Sequence, residues 1–284
     1  MKTVGICPGN KTLKSHKYIL PIAEYIISKG GKAFIDPEFK DQFNLPAIDS
    51  SKPVDILLSL GGDGTLLYYK RKYIHFKDTL FTAANIGRLG FMADVQIEEF
   101  ETYFDDIFNK EYYVEERLML DYSQNNTSNF AVNDIVFHRG SNPSMVELKV
   151  SINGIYFNTF QADGLIVSTP TGSTAYTLAA GGPLVHPTLP AIVMTPICGH
   201  TLSSRPFVSH PDSHIEIELL SNKGHAEVTI DGIDHSLLET NQIASINASE
   251  KKFKLITYYK KHTFFSTLRD KLHWKGMSIT PPPN

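Results

Sequence analysis

The sequence predicts an α/β domain followed by a β-rich domain. Up to about residue 105, short apolar runs alternate with amphipathic stretches of helical length, as expected when helices connect the strands of a parallel sheet. From about residue 115, short strand-like segments follow one another closely, which is typical of antiparallel sheets. We therefore predict an α/β domain over residues 1–110, a β-rich domain over 111–261, and a tail over 262–284 that packs back on the first domain.

The N-terminal elements have the order of a parallel sheet. Residues 3–7 are a predicted strand ending in a Pro-Gly-Asn turn, and apolar residues at helical spacing over 18–26 precede the helix-ending pair Gly30-Gly31. Residues 32–35 are a second strand, and 54–60 are almost all apolar, as in a strand covered on both faces. This alternation predicts a parallel, Rossmann-like sheet that binds ligands beyond the carboxyl ends of its strands.

The later elements are mostly strands. Asn153-Gly154 separates two of them and predicts a hairpin, because both residues tolerate positive φ. Residues 173–180 are the helix expected in this half, and 264–274 form a helix of the tail. The predicted strands are 112–114, 129–138, 145–152, 155–160, 165–168, 214–220, 226–230, 242–246 and 253–259.

Composition and charge exclude several classes of protein. Hydrophobic residues make up 42% and charged residues 20% of the 284 residues, so disorder is not expected. The net charge of −3 and the pI near 6.4 argue against a nucleic-acid-binding face, which favours a pI above about 9. The N-terminus lacks the apolar core of a signal peptide, and no apolar run reaches a membrane-spanning length. We expect a cytoplasmic protein, without a membrane partner, whose Cys7 and Cys198 are reduced and buried.

The segment Gly61-Gly62-Asp63-Gly64-Thr65 directly follows the 54–60 strand. Its glycines allow a tight turn and let a phosphate approach main-chain N–H groups, and the helix that follows adds a favourable dipole. The alternative is a structural strand-to-helix turn in which Asp63 caps the helix. The segment is not a P-loop, because no Gly-Lys-Ser/Thr follows it.

A second polar segment comprises Asp163-Gly164, the hydroxyl-rich run 168–176 and Gly181-Gly182-Pro183. Hydroxyl groups and free N–H groups at a helix start suit ribose, amide or phosphate oxygens, and the ring of Tyr176 offers a face on which a base can stack. The alternative is a serine- and threonine-rich turn with a capped helix.

A third polar pair, Asn133-Asp134, begins a strand-like run that ends at His138-Arg139. The adjacent amide and carboxylate can hold two sugar hydroxyls, although such a pair is more often a turn. His138 and Arg139 are candidate phosphate partners or, more simply, solvated edge charges. The histidines have no HExxH or Cys/His metal spacing and no Gly-X-Ser-X-Gly elbow is present, which argues against a zinc site and a serine hydrolase.

Together these segments resemble the NAD kinase family. They occur in that family's order and approximate spacing, as do Asn85-Ile86-Gly87-Arg88-Leu89-Gly90-Phe91, residues 195–198 and residues 202–206. The resemblance covers roughly residues 55–235. Diacylglycerol and sphingosine-type lipid kinases share the 61–65 segment, whereas the Thr171–Tyr176 run is the feature that resembles NAD kinases specifically.

The resemblance implies a β-sandwich-like second domain, NAD bound between the domains, and a homodimer or homotetramer. It implies transfer of the γ-phosphoryl of ATP, or of another donor such as polyphosphate, to the 2′-hydroxyl of the adenosine ribose of NAD, which gives NADP. Mg²⁺ or another divalent cation would be held mainly by the nucleotide phosphates, with no protein metal cage.

The resemblance also implies residue roles. Asp63 would be the general base, and the N–H groups of Gly61, Gly62, Gly64 and Thr65 would bind the donor phosphates. Asn133 and Asp134 would hold the adenosine portion, residues 174–176 would surround its base, and Asp163 would bind the other ribose. The full set of expected NAD contacts is Asp63, Gly64, Asn133, Asp134, Gln161, Asp163, Thr174, Ala175, Tyr176, Thr177, Leu178 and Ala179.

Four positions depart from the family pattern. Gln161 replaces a frequent basic residue, Ala162 a glycine, Ala179 a serine and Ile233 a glutamine. These changes bear on the nicotinamide and diphosphate contacts rather than on the reaction. Two alternatives remain at this stage: a lipid kinase with the same 61–65 segment, and a non-catalytic protein that senses NAD.

Overall fold

The computed structural model of the chain describes residues 1–9, 15–201, 204–220, 224–257 and 263–274. It divides into two compact units, Met1–Glu115 with Lys254–Asn284, and Glu116–Phe253. Several expected features fall outside the described residues: positions 202–203, the end of the predicted 253–259 strand, residue 262 and the tail beyond residue 274. Strands and helices are numbered in chain order.

The first unit contains a largely parallel sheet flanked by helices. Its strands are β1 (Thr3–Pro8), β2 (Lys32–Ile35), β3 (Ile56–Leu60), β4 (Leu80–Asn85), β5 (Val95–Gln96), β6 (Tyr113–Arg117) and β19 (Phe253–Thr257). Its helices are α1 (His16–Ser28), α2 (Lys40–Phe43), α3 (Asp63–Lys72), α4 (Phe100–Phe108) and α6 (Phe264–Lys271), with 3₁₀ turns at Pro37–Phe39 and Ile97–Glu99.

The order of strands in this sheet is β2-β1-β3-β4-β19-β6, with β5 beside β4. The pairs joining β1, β2, β3 and β4 are parallel, which confirms the predicted sheet. Every residue of β3 is buried, as expected for a strand covered on both faces. The carboxyl end of β3 leads directly into α3, which places the 61–65 segment at the ligand-binding edge typical of such sheets.

The two boundaries of the second unit differ from the predicted ones at 110/111 and 261/262. β19 pairs in parallel with β4 and lies next to β6, so both strands belong to the first sheet. A short apolar strand has the same local pattern in a parallel or an antiparallel sheet. The local pattern of residues 253–257 therefore does not indicate that they return to the first sheet.

The second unit is an antiparallel sandwich. Its strands are β7 (Leu120–Gln124), β8 (Thr127–Ala131), β9 (Asp134–His138), β10 (Val146–Ile152), β11 (Ile155–Ala162), β12 (Gly164–Ser168), β13 (Ile192–Ile197), β14 (Phe207–Ser209), β15 (Ile215–Leu219), β16 (His225–Ile230), β17 (Asp234–Glu239) and β18 (Ile243–Ala248). One sheet has the order β11-β10-β15-β18-β7-β8, and the other has the order β14-β13-β12-β9-β16-β17. A 3₁₀ turn, Thr171–Thr174, and the short helix α5, Tyr176–Ala179, complete the unit.

The sandwich core receives alternate residues from both sheets. Leu148 and Ile217 come from one sheet, and Phe137 and Leu165 come from the other. Because successive strand residues point to opposite faces, Asp134, Val136 and His138 of β9 lie on the face turned away from this core. Asn153 and Gly154 have φ of 54° and 76°, which confirms the predicted hairpin between β10 and β11.

Two sequence-based expectations were wrong in this unit. The predicted strand 129–138 is two strands, β8 and β9, which belong to different sheets; the chain crosses between the sheets at Val132-Asn133. Cys7 is buried, but Cys198 is exposed, because it follows the end of β13 in a turn with φ of 47°.

Removing a buried ring from the first unit tests its packing. Phe104 on α4 is fully buried, so Phe104→Ala should lower the free energy of unfolding by about 3–5 kcal/mol through lost burial and the cavity left behind. Phe265→Ala is the matched control, because Phe265 is 59% exposed, and should cost about 1 kcal/mol or less. Urea unfolding followed by circular dichroism measures both; equal losses would contradict the described packing.

Candidate functional site

The loop after β3 is tightly packed, and part of its hydrogen-bonding capacity is already used. The Gly61 N–H donates to the Ala84 carbonyl at 3.0 Å, and the Thr65 N–H donates to the Gly62 carbonyl at 3.0 Å. A Cβ at position 61 would lie 2.4 Å from Thr65 Oγ1, so the position requires glycine. Two of the four N–H groups expected to bind phosphate are thus engaged within the fold, while those of Gly62 and Gly64 find no acceptor among the described residues.

Asp63 begins α3, and main-chain N–H groups fix its carboxylate. Phe91 donates to Oδ2 at 2.8 Å, and Met92 and Ala93 donate to Oδ1 at 3.0 and 2.8 Å. The simpler alternative, a cap on its own helix, does not apply, because the partners lie on the loop after β4. A carboxylate offers about four acceptor positions, so this arrangement orients Asp63 and leaves acceptor capacity for a ligand.

The loop between β4 and β5 is itself held by Asn85, which ends β4. The Asn85 amide donates to the Arg88 carbonyl at 2.7 Å and accepts from the Gly87 N–H at 2.8 Å. Gly90 lets this loop reach Asp63, since a Cβ there would lie 1.9 Å from Asp63 Oδ1. Residues 85–91, one of the segments in the family resemblance, therefore belong to the loop that holds the Asp63 carboxylate in place.

The hydroxyl-rich segment is not the continuous helix that the sequence suggested. The 3₁₀ turn Thr171–Thr174 ends at Ala175, whose ψ of −130° is not helical, and α5 starts only at Tyr176. Its hydroxyl groups mainly hold the segment together. Thr169 Oγ1 donates to the Val132 carbonyl at 2.6 Å, and Ser173 Oγ donates to the Pro170 carbonyl at 2.6 Å. These two hydroxyls fit the alternative of a serine- and threonine-rich turn, and binding of NAD by the segment stays a prediction.

The corner Val132–Asp134 carries the predicted amide and carboxylate. The Asn133 carbonyl accepts from the Thr169 N–H at 2.9 Å, and a Cβ on Gly172 would lie 2.1 Å from that oxygen. Asn133 Oδ1 is buried and has no hydrogen-bond partner among the described residues. A buried acceptor without a partner is costly, so this oxygen is suited to receive a ligand donor.

Asp134 is 5% exposed and lies beside a second carboxylate, Asp231. Burial, and after it the negative charge of Asp231, raise the pKa of the Asp134 carboxyl to about 7, while a hydrogen bond from the Tyr176 N–H acts in the opposite direction. Burial and a like charge both disfavour an ionised carboxyl group. Asp134 thus changes its charge near neutral pH, which is a common property of functional sites.

A cavity of about 270 Å³ opens on the same face of the sandwich. In its lining, Arg139 Nε donates to Asp163 Oδ1 at 2.8 Å, His138 faces Glu227 at 3.7 Å, and the ring of Tyr176 is 46% exposed. The lining residues are Val136, His138, Arg139, Gly140, Asp163, Tyr176, Ile197 and Thr229.

The other residues expected to contact NAD differ in exposure and in the unit to which they belong. Asp63 and Gly64 belong to the first unit and the others to the second. Gln161 is exposed on β11, Ala179 is exposed at the end of α5, and Thr174, Ala175 and Leu178 are half-buried. The Thr177 side chain is fully buried, and its Oγ1 has no hydrogen-bond partner among the described residues.

Sequence reasoning missed two parts of the site. It did not assign a role to Asp231, whose partners lie almost a hundred residues earlier, and it did not identify the N–H groups of residues 91–93 as partners of Asp63. The available signals were Asp231-Gly232 in a turn and the glycines of the 85–91 segment. Neither indicates which distant groups it contacts.

Among the residues that the structure describes, no three His, Cys, Asp or Glu side chains come together as metal ligands. In the same part of the chain, no helix combines the length and apolar character needed to cross a bilayer.

Comparison with known proteins identifies the family. Residues 132–258 match the model of the ATP-NAD kinase C-terminal domain. The chain is 38% identical to an NAD kinase of Protochlamydia amoebophila, over 96% of this chain and 98% of that one, and 36% identical to one of Thermoanaerobacter, over 96% and 99%. A yeast NADH kinase complexed with NADH (TM-score 0.87, 24% identity, 100% and 90% coverage) and an Archaeoglobus fulgidus NAD kinase in complex with ATP (0.76, 23%, 96% and 100%) share its fold. The chain belongs to the NAD kinase family.

Proposed function

We propose that the protein transfers the terminal phosphoryl group of ATP to the 2′-hydroxyl of the adenosine ribose of NAD and so forms NADP. The observation that carries this proposal is the carboxylate of Asp63, oriented by three main-chain N–H groups at the carboxyl edge of a parallel sheet. The activity named for relatives that align over nearly the whole chain agrees with it.

In this reaction Asp63 accepts the proton of the attacking hydroxyl. The ribose oxygen forms a bond to the γ-phosphorus as the bond from that phosphorus to the bridging oxygen breaks, and ADP leaves. Phosphoryl transfer depends mainly on alignment and on neutralising charge, so a carboxylate of fixed orientation is suited to the step. The N–H groups of Gly62 and Gly64 are the members of the loop that remain available to donor phosphates.

The acceptor is proposed to bind through the second unit. Asn133 Oδ1 and the Asp134 carboxyl receive donors from the adenosine portion, and Tyr176 offers an exposed ring for its base. Asp163 retains one carboxylate oxygen for ribose hydroxyls, because Arg139 engages the other. The exposed side chain of Gln161 and the short one of Ala179 make fewer polar contacts in this proposal.

A divalent cation, most simply Mg²⁺, is proposed to arrive with the nucleotide. Mg²⁺ prefers oxygen ligands and usually binds through substrate phosphates while keeping several waters, so the nucleotide and water would supply most of its ligands. When bound, the ion would neutralise charge on the donor phosphates. The phosphoryl donor is ATP, another triphosphate or polyphosphate. Comparing NADP formation with each of them identifies it.

Self-association into a dimer or tetramer stays a prediction, as does a cytoplasmic location. Exposed apolar side chains on strands β11 and β14 of the second unit support self-association. Ile155 and Tyr156 of β11 are 73% and 58% exposed, and the rings of Phe157 and Phe207 lie 4.7 Å apart. Light scattering of the purified protein determines the number of subunits.

Replacing Asp63 by asparagine tests the proposed base. Asp63→Asn should lower kcat by at least about 100-fold, because the amide does not accept the proton, with NAD affinity changed only a few-fold. NADP formation is followed with an NADP-specific dehydrogenase, and NAD binding is followed by calorimetry. Near-normal turnover of Asp63→Asn would exclude Asp63 as the general base.

The wild type distinguishes the alternative functions. Binding of NAD without NADP formation would favour a sensing protein. If the wild type does not bind NAD, lipid acceptors become the alternative.

Replacing Gly90 by alanine tests the support of Asp63 without touching its chemistry. The added Cβ would overlap the Asp63 carboxylate, so Gly90→Ala should lower kcat about 10-fold or more by displacing the base. Gly87→Ala is the control, because its Cβ would come no closer than 3.7 Å to Asn85 Oδ1. Equal kcat values for the two variants would show that the contact does not matter for turnover.

A further inference from the structure

Asp231 lies in the turn after β16 with a backbone φ of 52°. This left-handed conformation is uncommon for residues other than glycine, although aspartate tolerates it better than most. Here it turns the main-chain N–H and the side-chain carboxylate of Asp231 toward the start of β9. The N–H donates to the Asp134 carbonyl at 2.9 Å, and the carboxylate faces the N–H groups of residues 132–134. Unusual backbone conformations persist where surrounding contacts compensate for them.

The corner Val132–Asp134 has a partner for each of its main-chain polar groups. The N–H groups of residues 132, 133 and 134 donate to the Asp231 carboxylate at 2.9, 2.7 and 3.2 Å. The carbonyls of residues 132 and 133 accept from Thr169, and that of Asp134 accepts from the Asp231 N–H. Asp231 therefore partners four of the six groups, and Thr169 partners the other two.

This arrangement leaves the side chains of Asn133 and Asp134 in fixed positions at the point where the chain crosses between the sheets. The geometry points to Asp231 as a positioning residue of the acceptor site, which holds the two side chains in place for the adenosine ribose and keeps a second negative charge beside Asp134. The inference rests on the proposed function, since it concerns the residues proposed to bind NAD.

The charge of Asp231 has a consequence that a purely structural contact would lack. It contributes to raising the pKa of Asp134 to about 7. The Tyr176 N–H on α5 donates to Asp134, and the uncharged Ser168 lies opposite it on β12. Further along β9, His138 faces Glu227, and Arg117 contacts the 171–174 turn through Thr171 Oγ1 at 3.4 Å.

The sign of the pH effect follows from the chemistry of the carboxyl group. Ionised Asp134 is an acceptor for donors of the adenosine portion beside the Tyr176 N–H that it already binds, whereas the protonated form accepts fewer hydrogen bonds. The affinity of the wild type for NAD should therefore decrease as the pH falls through about 7. Without the Asp231 charge the same decrease should occur at lower pH, because one cause of the raised pKa has been removed.

The experiment measures NAD dissociation constants by calorimetry from about pH 5.5 to about pH 8.5, a range that spans the expected titration. For Asp231→Asn, which tolerates left-handed backbone but removes the charge, we expect NAD affinity to fall about 10-fold or more at pH 8. We also expect the midpoint of the pH dependence to move to lower pH. Asp134→Asn should abolish that dependence.

Asp212→Asn is the matched control, since it removes one negative charge from an exposed turn of the same unit and should change neither quantity. If Asp231→Asn keeps the NAD affinity of the wild type and the midpoint of its pH dependence, the inference is overturned. Should that variant fail to fold, Asp231→Gly, which adopts left-handed backbone without strain, takes its place with the same expectations.

A measurement on the unliganded wild type separates this inference from the proposed function. Carbon-13 NMR of labelled aspartate should show the Asp134 carboxyl titrating near pH 7; a midpoint near about 4, the ordinary value, would overturn the inference even if NAD kinase activity is present. Conversely, a wild type that forms no NADP would contradict the proposed function while this titration still supports the effect of Asp231 on the corner.

Discussion

An aspartate carboxylate that accepts hydrogen bonds from three consecutive main-chain N–H groups organises the site residues of each unit. In the first unit Asp63 accepts from residues 91–93, and in the second Asp231 accepts from residues 132–134. N–H groups away from water must be paired, and one carboxylate satisfies three of them at once. The loops are fixed because displacing either carboxylate would leave several donors unpaired.

Glycine makes close approach possible in both parts of the site. Gly90 lies against the Asp63 carboxylate, and Gly172 lies against the Asn133 carbonyl of the Val132–Asp134 corner, with no room for a Cβ at either position. The two aspartates differ in role, however. Asp63 is itself proposed to handle the proton, whereas Asp231 acts through Asn133 and Asp134 and is not proposed to touch the substrate.

The sequence predicted the fold classes of both units and the segments that carry the site, because sheet type and glycine-rich turns are encoded by local patterns. It did not predict that residues 129–138 change sheets, since that crossing depends on the distant Asp231. It left open whether the hydroxyls of the 168–176 run bind a ligand or serve the turn, because a list of side chains does not reveal that those of Thr169 and Ser173 are used within the fold. β4, β5, β7, β14 and β17 were not predicted as strands, although β7 alternates buried and exposed residues along its length.

The central claim, phosphorylation of NAD at one defined hydroxyl, is tested most directly by identifying the product. NAD, ATP and Mg²⁺ are incubated with the purified protein, and the dinucleotide is isolated and examined by mass spectrometry and phosphorus NMR. We expect a single added phosphate on the 2′-oxygen of the adenosine ribose. A phosphate at another hydroxyl, or unchanged NAD beside a protein that binds it, would overturn the proposed reaction.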